Sequence, residues 1–341
     1  MLTHLQISGT HHDIGMALGK FGAQALHRFA KESPAWAELM RYRHSQAVEA
    51  MRTLVIEQHP AYWAEIEGLA KGLEMPIEEV FTWNCRGDLW AGAADGCTTI
   101  GRPWPELIIA HNEDGDPLFR GSCGLAQIKP DDELGFTAFV YPGSIPGHTF
   151  GANAAGLCLT VNNLRSLDAT AGMPRMIITR ALLTQPSLAS ALQYLRSTPS
   201  SGGFHVTLGQ AGEQQLYSVE FNCRQQAIME VKQTMGHANH MIHPEMAQEP
   251  QIITESSKSR QARLQACLAQ NPAIEPLEIL FDTENATYPI FRASDDDADG
   301  ENTLATARFE VGVAQLVWQV YQGQSYQPIY RLVNERLAPN P

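Results

Sequence analysis

The pattern of apolar residues along this chain changes near position 97. Before it, apolar side chains recur three and four residues apart, as at Ile14, Leu18 and Phe21, a spacing that predicts amphipathic helices. After it, short apolar runs such as residues 107–110 stand between turn-forming residues, which predicts strands. A helical first part followed by strands with helices between them favours an α+β layered domain over a doubly wound sheet.

The predicted elements after position 97 are short and separated by turns. We expect strands at 97–100, 107–110, 135–141, 156–161, 204–208, 215–221, 227–231, 304–313 and 316–321, and helical stretches at 174–196 and 256–269. The second of these helices is expected to begin at a cap formed by Ser256 or Ser257. A turn centred near Pro103 and Trp104 would place residue 97 opposite residue 111 in the first hairpin.

Composition and charge narrow the class of protein. The chain has 341 residues, of which 44% are hydrophobic and 18% charged, so we expect a substantial core and no extensive disorder. The formal net charge of −13 would repel a phosphate backbone, which argues against nucleic acid as a partner. The six cysteines form no CxxC pair. We find neither a signal peptide nor an apolar run of the about 18 residues that a membrane helix needs, so we expect a cytoplasmic protein with reduced thiols and no membrane partner.

Cys97 follows Gly96 at the point where the small-residue segment 91–96 gives way to a strand. Attack of its thiol on the accessible carbonyl of Gly96 would form a thioester, and hydrolysis would leave Cys97 at a new N-terminus. A free α-amine has a pKa of roughly 7.7–8.0, which suits a general base at neutral pH. Nucleophile and base would then reside on one residue. The alternative is a cysteine that is merely buried on a strand, as unpaired cysteines usually are.

Polar residues 111–114 follow the second strand of that hairpin. If the strands pair as expected, His111, Glu113 and Asp114 gather beside Cys97 at the open end of the hairpin. A carboxylate there would hold the new ammonium group or orient the thiol. A polar loop at the end of a strand is the alternative interpretation.

Five separated motifs occur in an order typical of one enzyme family. They are DGCTT at 95–99, NED at 112–114, GANAAGL at 151–157 with Asn162, HANH at 237–240 and IFR at 290–292. In this order they resemble the acyl-coenzyme A:6-aminopenicillanic acid acyltransferase family, which is peptidase family C45 of the N-terminal-nucleophile hydrolases. The resemblance extends from Cys97 to about Thr306, and the part before it looks like the family's propeptide.

The resemblance implies a role for three residues and a cleavage site. Cys97 matches the thiol nucleophile that becomes N-terminal when the bond after Gly96 is cut. Asp114 matches the carboxylate that positions it, and Asn239 matches the asparagine whose side chain helps to form the oxyanion hole. Donors aimed at the oxyanion are commonly worth ~3–4 kcal/mol of barrier each.

Four further residues are expected in the substrate and oxyanion pocket: Asn162, His111, Glu113 and Arg292. His111 and Glu113 belong to a string similar to the His-x-Glu-Asp of a branch that hydrolyses β-alanyl amines. An acidic Glu113 would favour a cationic amine as leaving group. Penicillin-forming members carry an arginine where this chain has Gly300, a departure that argues against penicillin-type substrates.

Two other motifs do not predict a metal site. His237, His240 and His243 have the spacing of a zinc motif, but they do not lie on a clear helix, so they need not share a face. The acidic residues 295–300 resemble the start of a calcium loop that lacks its bidentate glutamate, since Thr306 stands at the twelfth position. We therefore expect no metal and no cofactor.

The sequence thus predicts a four-layer αββα sandwich, made as a precursor (zymogen) that cleaves itself between Gly96 and Cys97. Residues 1–96 would form a helical propeptide that stays bound as a small subunit, and residues 97–341 the catalytic subunit. The mature protein is expected to hydrolyse a linear C–N amide bond of a small acyl-amine through an acyl-thioester on Cys97. Transfer of the acyl group to an amine, and an uncut family member that only binds a ligand, are the alternatives.

Overall fold

The computed structural model describes residues 2–92, 96–168, 170 and 172–339. Asp95 of the predicted cleavage motif lies outside the described residues. The described residues form ten α-helices and fifteen strands. The helices are α1 (His11–Glu32), α2 (Pro34–Leu39), α3 (Gln46–Gln58), α4 (Pro60–Leu73), α5 (Ile77–Asn84), α6 (Arg86–Leu89), α7 (Arg175–Leu182), α8 (Leu188–Ser197), α9 (Glu255–Gln270) and α10 (Pro276–Leu280).

The strands form two sheets. They are β1 (Thr3–Gly9), β2 (Gly96–Arg102), β3 (Ile108–Gly115), β4 (Gly124–Pro130), β5 (Phe136–Val140), β6 (Phe150–Asn153), β7 (Leu157–Leu164), β8 (Gly203–Gln210), β9 (Tyr217–Phe221), β10 (Gln226–Glu230), β11 (Met235–His237), β12 (Asn302–Val311), β13 (Leu316–Tyr321), β14 (Tyr330–Val333) and β15 (Arg336–Ala338). One sheet has eight strands in the order β1-β4-β5-β6-β7-β8-β9-β10. The other has seven, in the order β11-β2-β3-β12-β13-β14-β15.

The sheets face each other and each carries helices on its other side. Strands β2 and β3 of the seven-stranded sheet contact β7 of the eight-stranded sheet. Helix α1 packs against β1 and β4, whereas α9 and α10 pack against β11, β2 and β3. Because both faces are covered, β2, β3, β7 and β8 are buried along their whole length. The predicted α+β class and four-layer αββα sandwich are therefore confirmed.

The N-terminal helices are tightly joined to this sandwich. Helix α1 begins at a capping box in which Thr10 and Asp13 satisfy each other's backbone N–H groups. Helices α1 and α4 approach so closely that a Cβ added at Gly68 would lie 2.0 Å from the carbonyl oxygen of His12. Strand β1 pairs in parallel with β4, so the start of the chain is part of the eight-stranded sheet.

Three details of the sequence prediction are wrong. The first hairpin turns about Pro105 rather than near Pro103 and Trp104, so Cys97 pairs with Glu113 and Thr99 pairs with His111. Since side chains alternate between faces, this shift of two residues leaves every side chain on its expected side of the strand. Helix α9 begins one residue earlier than predicted and is capped by Thr254 instead of a serine.

Strands β1, β4, β6, β11, β14 and β15 were not predicted. Strand β1 is an edge strand in which Thr3, Gln6 and Ser8 are exposed and no residue is fully buried, so its apolar signal is weak. Strands β14 and β15 are four and three residues long and follow β13 at the edge of the other sheet. In the described part of the chain, no helix combines the length and apolar character needed to cross a membrane.

Candidate active site

Cys97 is the second residue of β2, a strand near the middle of the four layers. Its side chain is buried, with 3% of the residue exposed, and it lines a small cavity together with Glu113. The cavity is also lined by Arg86, His148, Asn163, Arg175, Met176 and Phe204. The N-terminal part of the chain thus contributes one wall, through Arg86 of α6. The cavity holds about 10 Å³, close to the space that one water molecule needs.

The backbone of Cys97 is held by side chains that come from distant elements. Strand β11 pairs with β2 only as far as Thr99, so the N–H of Cys97 projects beyond the end of β11. Asn239 meets it there and accepts the hydrogen bond at its Oδ1, 3.0 Å away. Arg260 of α9 donates to the same Oδ1 at 2.6 Å and to the carbonyl oxygen of Cys97 at 2.6 Å. The backbone N–H and C=O groups of Cys97 are therefore bound by side chains and not by a neighbouring strand.

One face of the hairpin β2–β3, the inner face, points between the two sheets and carries the thiol. The Cys97 Sγ lies 3.8 Å from Oε2 of Glu113, its partner across the strands. The hydroxyl of Tyr141 donates to the other oxygen of Glu113 at 2.9 Å, and Nε2 of His111 lies 3.1 Å from Oε2. The thiol therefore has a buried carboxyl group as its neighbour.

A line of hydrogen bonds continues from His111 away from the cavity. Its Nδ1 lies 2.8 Å from the hydroxyl of Thr99, which lies 2.6 Å from Oδ1 of Asn162. Asn162 also contacts Nδ1 of His205 at 3.0 Å and donates from Nδ2 to the carbonyl of His237 at 3.1 Å. All of these residues are buried, and burial lowers the pKa of His111 to about 3.

The other face of the hairpin, the outer face, points toward α9 and carries Asp114. Its Oδ1 accepts a hydrogen bond from the hydroxyl of Thr303 at 2.7 Å. Its Oδ2 is buried and has no hydrogen-bond partner among the described residues. Burial raises the pKa of Asp114 although the charges of Arg292 and Arg260 oppose the change.

Arg292 forms the centre of a buried charge cluster beside Asp114. Its guanidinium donates to Glu301 and to Asp297, and burial raises the pKa of Glu301 to about 7. Gly96 is packed against this cluster. A Cβ added at Gly96 would lie 2.2 Å from Oε2 of Glu301 and 3.2 Å from Nη1 of Arg292, so only glycine fits before Cys97.

The predicted site residues therefore occupy three places. Cys97, Glu113 and Asn239 meet at the cavity or at the backbone of Cys97. His111 and Asn162 lie behind Glu113 and are not among the residues that line the cavity. Asp114 and Arg292 lie on the outer face, next to Gly96.

Sequence reasoning missed several residues of this region. Arg260, which binds the Cys97 carbonyl, stands in a polar helix with no motif around it, and Tyr141 follows the end of β5. Arg86 and Arg175 line the cavity from elements far apart in the chain. Arg86 belongs to the string Asn84-Cys85-Arg86 of the propeptide resemblance, whereas Arg260, Tyr141 and Arg175 have no local sequence signal, because their places follow from the packing of the layers.

The other buried cysteines have different surroundings. The Cys158 thiol donates to the carbonyl of Gly209 at 3.4 Å, and burial raises its pKa to about 12. The Cys123 thiol lies 3.7 Å from the carbonyl of Phe119, and burial raises its pKa as well. These thiols contact main-chain oxygens inside the core, which is typical of unreactive cysteines.

The histidine motif does not assemble into one site. His237 stacks on His205 with ring centroids 3.6 Å apart, and its Nε2 contacts Glu220 at 2.7 Å. His240 instead contacts the hydroxyl of Ser257.

The acidic loop at 295–300 forms ion pairs. Its Asp297 binds Arg292.

One group of ligand-type atoms does lie close together within the described residues. Atoms of Cys97, His111 and Glu113 lie within 4.8 Å of one another, a separation that a divalent metal ion can bridge. In this structure the three side chains contact each other directly, through the 3.8 Å and 3.1 Å distances to Glu113 Oε2.

Comparison with known proteins identifies the family. A sequence model of the family described as acyl-coenzyme A:6-aminopenicillanic acid acyl-transferase matches residues 103–325, more than half of the chain. The chain belongs to this family. The predicted family is thus confirmed, and so is the predicted class of enzyme, one that acts on C–N amide bonds by hydrolysis or acyl transfer.

Individual relatives match most of the chain. The chain is 26% identical over 347 residues to the 40 kDa form of acyl-coenzyme A:6-aminopenicillanic-acid-acyltransferase of Emericella nidulans, covering 91% of this chain and 90% of that protein. It is 22% identical over 346 residues to the beta-alanyl-dopamine/carcinine hydrolase of Drosophila melanogaster, covering 90% and 89%. A solved variant of the conjugated bile acid hydrolase from Clostridium perfringens is similar with a TM-score of 0.45 and 10% identity, covering 72% of this chain and 99% of that one.

Proposed function

We propose that this chain is a precursor that cuts itself between Gly96 and Cys97 and then hydrolyses a linear amide with the Cys97 thiol. The observation that carries the proposal is the way in which Cys97 is held. Its N–H is bound by the side chain of Asn239 and its thiol lines the cavity. If the bond before Cys97 breaks, the new amine stays in place beside its own thiol, where it can act as a base.

Self-cleavage needs no group from outside the chain except water. The Sγ of Cys97 attacks the carbonyl carbon of Gly96, the C–N bond breaks, and the thiol proton ends on the nitrogen of Cys97. Water then hydrolyses the Gly96 thioester, which leaves a carboxylate on Gly96 and restores the thiol. Gly96 suits this step because a larger residue at the position would have to displace the carboxyl group of Glu301.

Turnover repeats the same chemistry on a substrate. The thiol attacks the amide carbon and gives its proton to the α-amine, which passes it to the leaving amine. Nδ2 of Asn239 donates to the carbonyl of Asn163 at 3.2 Å, and its second N–H is the donor proposed for the oxyanion. Water then attacks the acyl-thioester on Cys97 and releases the acid.

We propose that Asp114 binds the α-ammonium group that Cys97 gains on cleavage. Asp114 pairs directly with Gly96, the residue on the acyl side of the cut bond. Its Oδ2 is a buried acceptor that lacks a donor among the described residues. An ammonium group formed at this end of β2 would supply that donor. The charge-assisted hydrogen bond would then hold the amine beside Asp114.

The N-terminal fragment is expected to remain as a subunit. Glu65 of α4 forms a fully buried ion pair with Arg180 of α7 at 2.9 Å, and Arg180 lies beyond the cut. Removing one partner of such a pair would leave an uncompensated buried charge, which costs roughly 3–5 kcal/mol. Strand β1 also pairs along its full length with β4.

Acyl transfer is the second candidate function. It shares the acyl-thioester with hydrolysis, and the relative from Emericella nidulans is an acyltransferase by name. A panel of β-alanyl amines, penicillin V and acyl-homoserine lactones, assayed for released amine with and without added hydroxylamine, distinguishes the two. Acid alone supports the hydrolase, whereas efficient formation of the hydroxamate supports transfer.

The primary test is the mass of the purified protein. We expect two fragments, the second beginning at Cys97 by N-terminal sequencing, and one uncut chain for Cys97→Ala. Cys223→Ala, a substitution of a cysteine away from the cavity, is the matched control and should be cut normally. A Cys97→Ala chain that is still cut would refute self-cleavage, and an uncut wild-type chain that turns over substrate would refute the mechanism. An uncut, inactive chain would support the ligand-binding alternative.

A further inference from the structure

Arg260 of α9 is a fully buried arginine that forms no ion pair within the described residues. Its guanidinium donates at 2.6 Å to the carbonyl oxygen of Cys97 and at 2.6 Å to Oδ1 of Asn239, and it also donates to the hydroxyl of Thr98 at 2.9 Å. The acidic groups of the outer face act on it only from a greater distance. Burying a cation costs free energy, because the water that it loses must be replaced. A cation kept here to bind neutral oxygens points to a role for the atoms that it holds.

Arg260 links two residues on which the proposed reaction depends. Nη1 binds the main chain of Cys97, and Nη2 binds the side chain of Asn239, which lies 142 positions later in the chain. Both nitrogens belong to one planar group, so the separation of their two partners is fixed by covalent geometry. Lysine offers a single nitrogen on a flexible stem and cannot reproduce this link.

The guanidinium also determines which way the Asn239 amide faces. Since it carries donors only, the atom that it meets is the amide oxygen, and the NH2 group is at the other end. That NH2 group donates to the carbonyl of Asn163 at 3.2 Å and has one N–H left for the oxyanion. Ser257, one turn earlier on α9, accepts from the main-chain N–H of Asn239 at 2.8 Å. Helix α9 thus holds Asn239 by both its main chain and its side chain.

Cleavage before Cys97 would change what holds these groups. In the uncut chain the peptide bond to Gly96 fixes Cys97, and the N–H of Cys97, which only donates, also fixes the Asn239 oxygen. In the cut chain the covalent link is gone, and the nitrogen is an amine that both donates and accepts. Arg260 is then the donor that does not change.

We propose that Arg260 is a positioning residue of the mature enzyme, which holds the nucleophile Cys97 and the oxyanion donor Asn239 at a fixed separation. This role rests on the proposed function. Arg260→Lys keeps the charge and removes the double link. We expect kcat to fall by about 10–100-fold, the range for losing a hydrogen bond to a charged group, with KM little changed because the oxyanion forms only in the transition state. Self-cleavage should slow much less, since the peptide bond still fixes Cys97 in the precursor.

The measurements are time courses of cleavage by mass spectrometry and steady-state turnover of the best substrate among β-alanyl amines, penicillin V and acyl-homoserine lactones. Arg263→Lys is the matched control, because Arg263 stands one turn later on α9 and binds Asp282 at a partly buried site. Both of its rates should equal those of the wild type. An unchanged kcat in Arg260→Lys, an effect confined to KM, or an equal loss in self-cleavage would overturn the role of Arg260 in the mature enzyme.

A second measurement separates this inference from the proposed function. The Cys97→Ala chain keeps the carbonyl that Arg260 binds, and its unfolding can be followed without any activity. In this chain Arg260→Lys and Asn239→Ala remove the same contact, so their combined loss in the free energy of unfolding should be smaller than the sum of the single losses. Additive losses would overturn the link even if the wild type cleaves itself and turns over substrate. An uncut, inert wild-type chain with non-additive losses would refute the proposed function and, with it, the role of Arg260 in turnover.

Discussion

Glu113 and Asp114 are consecutive residues that lie in opposite surroundings. Because side chains alternate along β3, Glu113 points to the inner face, among hydroxyl groups, an imidazole and the thiol. Asp114 points to the outer face, beside two buried guanidinium groups, Arg260 and Arg292. Two carboxyl groups separated by one peptide unit therefore have different partners.

The difference indicates that the inner and outer faces of the hairpin have different roles in the proposed mechanism. The inner face places the reactive sulfur beside the carboxyl group of Glu113, in a cavity that Arg86 and Arg175 also line. The outer face concentrates charges around Gly96 and the backbone of Cys97, where a peptide bond is to be broken and an ammonium group held. The predictions that follow test how strongly each face depends on its charged groups.

The largest effect is expected for Arg292→Met. The substitution leaves Glu301 and Asp297 without their cation in a buried site, so the free energy of unfolding should fall by about 3–5 kcal/mol in chemical denaturation. Arg336→Met, which removes an exposed arginine paired with Glu335, is the control and should leave stability unchanged. Equal effects of the two substitutions would show that the outer face does not depend on this charge.

Asp114→Asn should slow both self-cleavage and turnover. Losing a hydrogen bond to a charged group costs roughly 1.5–3 kcal/mol, which corresponds to about 10–100-fold in rate. Stability should change little, because burial already raises the pKa of Asp114 and makes its ionised form costly. Asp116→Asn is the matched control, since Asp116 only caps a short turn by accepting from the N–H of Leu118. Normal rates for Asp114→Asn would remove this carboxylate from the mechanism.

Gly96→Ala tests how closely the charge cluster packs on the residue to be cut. The new Cβ would lie 2.2 Å from Glu301 Oε2, and overpacking of this kind costs about 1–3 kcal/mol. We expect lower stability and a smaller cut fraction by mass spectrometry. Gly101→Ala, on the same strand, has its nearest contact at 3.5 Å and should behave like the wild type.

Glu301 gives the outer face a distinct pH dependence. Burial raises the pKa of Glu301 to about 7, above the value near 4.3 expected in an unfolded chain. The folded protein therefore holds a proton that the unfolded chain lacks between these values. The stabilising contribution of Glu301 to the free energy of unfolding is fully present below pH ~4.3. It is lost as the pH rises through about 7. Glu301→Gln should abolish this slope, which amounts to at most about 1.4 kcal/mol per pH unit in denaturation curves. If the free energy of unfolding has the same pH profile in the wild type and in Glu301→Gln, this role of Glu301 is contradicted.

Some of this arrangement could be predicted from the sequence. The apolar runs on either side of Pro105 predict the hairpin, and alternation alone places Glu113 and Asp114 on opposite faces. The length of the turn is a local property that composition does not determine, and for this reason the predicted register differs from the observed one by two residues.

The rest depends on contacts between distant parts of the chain. Arg260 reaches Cys97 from a helix more than 150 positions later, and β1 pairs with β4 across more than 100 positions. No local pattern encodes such contacts, because they arise only when the layers pack. The family resemblance supplied Asn239, whose contact with Cys97 follows from the end of β11 and not from any spacing near the cysteine.

The smallest effect is expected on the inner face, for Tyr141→Phe. The substitution removes the hydroxyl that donates to Oε1 of Glu113 at 2.9 Å and keeps the ring that packs on Phe119 and Phe139. The expected loss is that of one hydrogen bond, about 0.5–1.5 kcal/mol in the free energy of unfolding. A loss as large as that for Arg292→Met would mean that Tyr141 stabilises a buried carboxylate, since hydrogen bonds to charged groups are stronger. The ratio of these two losses therefore measures the difference in charge between the faces.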